Sequence, residues 1–406
     1  MKLLITNAGS FRNKGIETLT KSIINGVSNL NEHAIFKVLT YDPEYNSLYM
    51  DKNENVSFVK NPFGRLYEFL GLRLNLVISK LGFLQSIKEG FDAFKWADAI
   101  ISLTADNFSS LYGSKTLLAN IAPIKTAAAL GKKIFLIGSS FGPFETEKDF
   151  KASVEAIKKA SLITVRETIS LKFLEKIKIK NARVELTADP AFCLEPYTKN
   201  LEKTWLHYNI PSGKTIVGLA ASQGIAHYTE YSYAKHLKIL QNLVKFLTER
   251  LNCHVLLIPH VHHLAVNSDD RVICEQLLRE LDFPKNVTLI NLEHSAEEIR
   301  AIVSKLDLMI AERMHAAIAS LSQNVPTFVI SYGVKSKGIL GDIFGFDTLE
   351  NYLLPIEKLD EETLEKKVKF LLHERGNVRK YLKKVMPKFK EKSKRNFTLI
   401  MEALKQ

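Results

Sequence analysis

Arg313, His315 and Lys335, side chains able to carry positive charge, collect at strand ends within the stretch 306–338, LDLMIAERMHAAIASLSQNVPTFVISYGVKSKG. Guanidinium and ammonium groups bind carboxylates and phosphates, and an imidazole can move a proton near neutral pH. The sequence around them predicts strand, helix, strand. LDLMIAER is an apolar run of buried-strand length, and MHAAIASLSQN has apolar residues at helical spacing. PTFVISY is β-branched and aromatic, opened by Pro326 where a strand tolerates proline. In a parallel βαβ unit both strands end on one sheet edge, beside helix N-termini whose free amides favour anions. A small anionic ligand is one reading of this edge. A solvated charge cluster is the other.

Other strand ends carry candidates of the same kind. Arg166 follows SLITV and could reach a carboxylate or phosphate bidentately, or pair with Glu167 or another neighbouring carboxylate. The turn 138–144, GSSFGPF, follows KKIFLI and puts Ser140 at a ligand edge. After the first strand, the loop 7–17 (NAGSFRNKGIE) offers two glycines and small polar side chains to an anion or to sugar hydroxyls, unless it is a structural turn. It lacks G-x-G-x-x-G and a Walker A lysine-serine pair, which argues against a dinucleotide or P-loop site. His260, His262 and His263 suggest a metal, but their spacing is poor and no cysteine helps, so no metal site is assigned. Of these, His260 is placed toward the ligand. Asp269 and Asp270 read as caps of the next helix, or as ligand contacts.

These residues need a scaffold that delivers strand ends to one edge. KLLITN, IFKVLTYD, NVSFVK, ADAIISLT, KKIFLIGSS, SLITVRE and VELTADP alternate with helical patterns through the first half. TIVGLAAS, CHVLLIPH and VTLINL continue the alternation before the 306–338 unit. Such alternation predicts α/β architecture with parallel sheets. We expect an N-terminal Rossmann-like domain over 1–198 that contributes Arg166, and a second over 199–375 that contributes the histidine. A C-terminal helical tail follows over 376–406. A hinge over 196–211 would make this a GT-B-like pair with its active site in a central cleft.

The chain has 406 residues, 46% apolar and 25% charged, as expected for globular domains with full cores. No window offers the ~18 consecutive apolar residues of a membrane span, and the N-terminus has no secretory signal pattern. Cys193, Cys253 and Cys274 are odd in number and read as reduced thiols, which places the chain in the cytoplasm. A net charge of +12 and a pI near 9.3 fit small anionic substrates or an anionic membrane face. Nucleic acid is set aside, since no zinc-finger, RNP-type or helix-turn-helix pattern is found. The amphipathic stretch 65–96 either packs against the sheet or lies on the inner membrane face as a peripheral contact.

Seven motifs then occur in order: NKGIETLTKSII, GSSFGPF, VRETIS, TADPAF, IPHVHH with SDDR, ERMHA and SYGVKSKG. Together they resemble the polysaccharide pyruvyl transferase family over nearly the whole chain before the C-terminal helices. The resemblance implies a GT-B-like fold and transfer from phosphoenolpyruvate to a sugar of a cell-surface polysaccharide or lipid-linked precursor, giving a pyruvate ketal. It implies no cofactor beyond that donor substrate. By it, His315 is the acid/base, and Arg166, Arg313 and Lys335 bind the donor. Acceptor or secondary contacts are assigned to Asn13, Glu17, Ser140 and His260. Ile16, Ser139 and the stretch Leu103-Thr104-Ala105 depart from the family's usual residues, which bears on the acceptor more than on the donor.

The donor's carboxylate and phosphate call for several fixed cations. A helix dipole lowers the pKa of an imidazole at its N-terminus, which suits a neutral base. Two alternatives share the fold: a GT-B glycosyltransferase using a nucleotide sugar, and a non-catalytic sugar- or anion-binding protein. Against the first, the second half shows no acidic ribose-binding position after a glycine-rich loop.

Overall fold

Strands buried on both faces need continuous apolar runs, and here they have them. In β1 (Lys2–Thr6), β4 (Ala99–Leu103) and β5 (Lys133–Ser139) nearly every residue is buried. The flanking β2 (Ile35–Thr40) and β6 (Leu162–Val165) are also largely buried, whereas the edges β3 (Val56–Lys60) and β7 (Arg183–Leu186) are only partly so. The seven form one all-parallel sheet in the order β3-β2-β1-β4-β5-β6-β7. The order reverses between β1 and β4, so the ligand edge lies where those strands end, at Thr6 and Leu103.

A second parallel sheet is built from β8 (Ile216–Ala220), β9 (His254–Leu257), β10 (Val287–Leu289), β11 (Leu308–Ala311), β12 (Thr327–Ser331) and β13 (Leu353–Pro355). Its order is β10-β9-β8-β11-β12-β13, with the switch point between β8 and β11. All twelve expected strands are present. The thirteenth, β13, has three residues and ends in a proline, too short to show a pattern.

This computed structural model describes residues 1–50, 54–63, 79–225, 229–262, 268–291 and 293–406. Two compact units result: one of residues 1–11, 19–190 and 391–406, the other of 12–18 and 191–390. The first contains the seven-stranded sheet and the second the six-stranded one. In the first unit Asn396 on the last helix accepts from Thr164 and Thr187 and donates to the Ala188 carbonyl, tying that helix to the ends of β6 and β7. Of the stretch 65–96, residues 65–78 lie outside the described residues. Its remainder is the helix Ser79–Trp96, whose Phe94 and Ala93 are buried in the first unit's core with Phe63 and Leu39. No helix among the described residues is long and apolar enough to cross a membrane.

Candidate active site

In the second unit β11 runs LMIA, entirely buried, and then yields to the helix Met314–Ser322. Three alanines on that helix let it lie close to the sheet, and the helix is buried almost throughout. Arg313 is its N-cap in extended conformation and makes no side-chain cap. The guanidinium turns instead to Asp270, donating Nη2 to Oδ1 at 2.6 Å and Nε to Oδ2 at 3.1 Å. Asp270 also accepts the backbone N–H groups of Gln223 and Val261 at 3.1 and 3.0 Å. One carboxylate thus joins the chain beyond β8, beyond β9 and beyond β11. Burial raises its pKa, and Arg313 opposes that shift.

The preceding residue, Glu312, is just as buried. Its Oε1 lies 2.7 Å from His236 Nε2, and its Oε2 accepts the Ser222 N–H at 2.7 Å. Arg313 therefore follows a residue that is itself anchored on both carboxylate oxygens.

His315 is the second residue of the same helix. The segment 12–18 packs against it. Asn13 bridges Val261, Lys14 N–H donates to the His260 carbonyl at 2.9 Å, and His262 N–H donates to Arg12 O at 2.7 Å. A Cβ built on Gly15 would lie 2.3 Å from His315 Nδ1, so only glycine permits this approach. Asn13 and Glu17 are engaged within the unit. Asn13 Oδ1 accepts from Gly15 N–H at the start of the helix Lys14–Ser28. Glu17 is fully buried, with one oxygen 2.9 Å from Lys14 Nζ and the other accepting the Ala296 N–H at 2.9 Å.

His260 lies within electrostatic reach of Arg313 and His315. Burial first, and those neighbours with His262 second, hold its pKa down to about 3. Its Nδ1 donates to the Ile258 carbonyl at 3.2 Å, which leaves Nε2 as an acceptor. His262, down to about 4 mainly by burial, contacts Pro259 O through Nε2 at 3.3 Å. His263 lies outside the described residues, and among these no cluster of His, Cys, Asp and Glu could hold a metal ion. Asp269 is the expected cap, accepting from Arg271 N–H.

Lys335 is the second residue of the helix Val334–Phe344, which follows β12 and starts from Gly333, again without a side-chain cap. Ala311 of β11 pairs with Val329 of β12, so Arg313 ends level with Ser331 and both helix N-termini share one sheet edge. The second unit thereby collects Arg313, His315 and Lys335 at adjacent strand ends, with His260 near the first two.

Arg166 and Ser140 belong to the first unit, where three motifs converge. The Arg166 side chain is 1% exposed and donates Nη1 to Asp189 Oδ2 at 2.6 Å and Nε to Ser140 Oγ at 2.8 Å. Nη2 is buried with no hydrogen-bond partner among the described residues. Burial works against the charge, yet Asp189 and then Asp106 outweigh it and raise the pKa. Glu167 instead caps the helix Thr168–Lys176, accepting from Ser170 N–H at 2.9 Å. The arrangement is a guanidinium held charged, with one N–H edge still able to take an anionic oxygen.

Gly15, Glu312 and the choice of Asp189 as the partner of Arg166 had not been singled out, and Asp270, read as a helix cap or ligand contact, is instead the partner of Arg313. A signal existed for one. Asp269 and Asp270 are consecutive, and a single aspartate suffices to cap a helix, so the second needed another partner.

Two parallel α/β units with these strand orders define a GT-B-like fold, and solved structures agree. UDP-GlcNAc 2-epimerase from Neisseria meningitidis superposes with a TM-score of 0.59 at 13% identity, over 100% of both chains. A glycosyltransferase from Rickettsia africae gives 0.55 at 14% identity, over 100% of this chain and 96% of that one. The chain belongs to the polysaccharide pyruvyl transferase family, whose sequence profile matches residues 13–334. It is also similar to the amylovoran biosynthesis protein AmsJ of Erwinia amylovora, 25% identical over 257 residues. That match covers 61% of this chain and spans 60% of AmsJ.

Proposed function

We propose that the protein transfers the pyruvyl unit of phosphoenolpyruvate to a sugar of a polysaccharide or of its lipid-linked precursor, closing a pyruvate ketal. The observation that carries this reading is the edge of the second sheet. There Arg313, His315 and Lys335 accompany two helix N-termini that lack side-chain caps. A ligand with both a carboxylate and a phosphate has two anionic ends to place there. Membership of the family supports the same donor.

In this reading one sugar hydroxyl adds to C2 of the enol phosphate while its methylene carbon takes up a proton and becomes methyl. A second hydroxyl of the same sugar then replaces phosphate at C2. Of the two protons released by the hydroxyls, one ends on the methyl carbon and the other leaves with phosphate. His315 moves the proton, and the cations hold the departing phosphate.

The experiment is a thermal-shift comparison of phosphoenolpyruvate with a panel of nucleotide sugars, followed by phosphate release and carbon NMR of the acceptor. A ligand bound by the native state alone raises the melting temperature. Stabilisation by phosphoenolpyruvate, and a methyl ketal signal that His315→Ala diminishes by roughly two to four decades in rate, are expected. Stabilisation by a nucleotide sugar instead would assign the site to glycosyl transfer.

A further inference from the structure

We infer that the outward face of the last helix, Arg375–Lys405, is a docking surface for an anionic membrane. The helix carries eleven Lys and Arg against two Glu, a net of +9 in a chain whose total is +12. Much of that charge is answered locally. Lys390 pairs with Glu195, Lys394 with Glu391, and Arg395 with Glu402.

Between residues 380 and 388 four lysines are not answered. Lys380, Lys383, Lys384 and Lys388 are all exposed, and none has a carboxylate within ion-pair distance among the described residues. Their i, i+3, i+4, i+8 spacing sets them along one side of the helix for about 12 Å. Val378, Leu382 and Met386 on the opposite side are buried, which fixes the lysine side outward. Two hydrogen bonds hold that orientation within the second unit: Tyr381 Oη to Ile343 O at 2.6 Å, and Arg379 Nη2 to Leu306 O at 2.7 Å.

A row of exposed cations that no carboxylate pairs suits the plane of anionic lipid headgroups, each lysine adding to the attraction. Single-stranded nucleic acid would want aromatic rings between the cations. Tyr381 instead turns its ring to Phe344 and its hydroxyl to the backbone, and the ring of Phe389 lies against Phe192. Binding at this face is peripheral and independent of the transfer reaction proposed above.

The test is co-sedimentation of the full chain with vesicles rich in phosphatidylglycerol and with vesicles of phosphatidylcholine alone, at low and high salt. Binding is expected only to the former and is lost as salt rises. The variant combining Lys380→Gln, Lys383→Gln, Lys384→Gln and Lys388→Gln is expected to keep its melting temperature. Its partitioning should fall about a hundredfold or more, at roughly fivefold per lysine. Equal binding to both vesicle types, or partitioning unchanged in the variant, overturns the inference. Tighter, lysine-dependent binding to a DNA or RNA oligonucleotide than to vesicles would assign the face to nucleic acid and overturn it as well.

Discussion

Asp270 holds Arg313 through both carboxylate oxygens, at 2.6 and 3.1 Å, while those same oxygens accept the N–H groups of Gln223 and Val261. The carboxylate is fully buried, and the arginine side chain is 14% exposed. Removing one member of such a pair leaves the other desolvated without compensation. Asp270→Asn is therefore expected to cost about 3 kcal/mol, read as a lower urea midpoint. The loops beyond β8 and β9 should lose hydrogen-exchange protection together with Arg313. A midpoint within experimental error of the parent would show that the pair does not hold these loops.

Gly15 tests the neighbourhood of His315 without touching the imidazole itself. Its backbone lies outside the left-handed region, so alanine meets no conformational penalty there. The cost comes from the clash, with a Cβ 2.3 Å from Nδ1 and 2.6 Å from Cγ of His315. Gly15→Ala should displace the ring and destabilise the chain by about 1–3 kcal/mol. If His315 moves the proton, pyruvyl transfer should also fall by more than tenfold, since such misplacements are costly in rate. An activity assay paired with far-UV circular dichroism separates lost geometry from lost fold. Full activity in a folded variant would mean that the ring position does not matter.

The scaffold was readable because buried parallel strands must be apolar along their whole length, and KIFLIGS, IVGLA and LMIA are. Strand ends then located Arg313, His315, Lys335 and Arg166, because topology fixes which edge they reach. What the residues contact was another matter. Nothing in the spacing tells that Arg166 pairs with Asp189 rather than Glu167, since both follow strands of the same sheet. The path of residues 12–18 into the second unit was equally hidden. It rests on backbone hydrogen bonds from Lys14 to His260 and from His262 to Arg12, which leave no side-chain pattern. Glu17 illustrates the consequence: as a polar residue in a strand-to-helix loop it suggested ligand contact, whereas its carboxylate is taken up by Lys14 and Ala296.

The Arg166–Asp189 pair admits a sharper test than single replacement. Arg166→Met alone strands a buried aspartate and should destabilise by about 3–5 kcal/mol. Adding Asp189→Leu removes the stranded charge, and apolar replacements of whole buried pairs are often neutral. The double variant should regain most of the lost stability. If the guanidinium also contacts the donor, phosphoenolpyruvate-dependent activity stays low in the stable double variant, with KM raised. Recovery of activity along with stability would make the pair purely structural.

Acid should weaken the second unit through its histidines. Burial is the main cause holding His254, His260 and His262 down to about 4, about 3 and about 4. All three stay neutral in the folded chain down to roughly pH 4, while exposed imidazoles of the unfolded chain take up protons near pH 6.5. Between those values the unfolded state binds more protons, so stability falls as pH falls, by up to about 1.4 kcal/mol per histidine per pH unit. Asp270 works the other way, since its pKa is raised and its proton favours the folded state in acid, but it is one group against three. The melting temperature should therefore decline steadily from pH 6.5 to pH 4.5. His260→Gln keeps a donor for the Ile258 carbonyl but cannot titrate, and should lower the slope by about one proton. A profile that is flat across this window, or a slope unchanged by that substitution, would show that these imidazoles are not buried neutral in the folded chain.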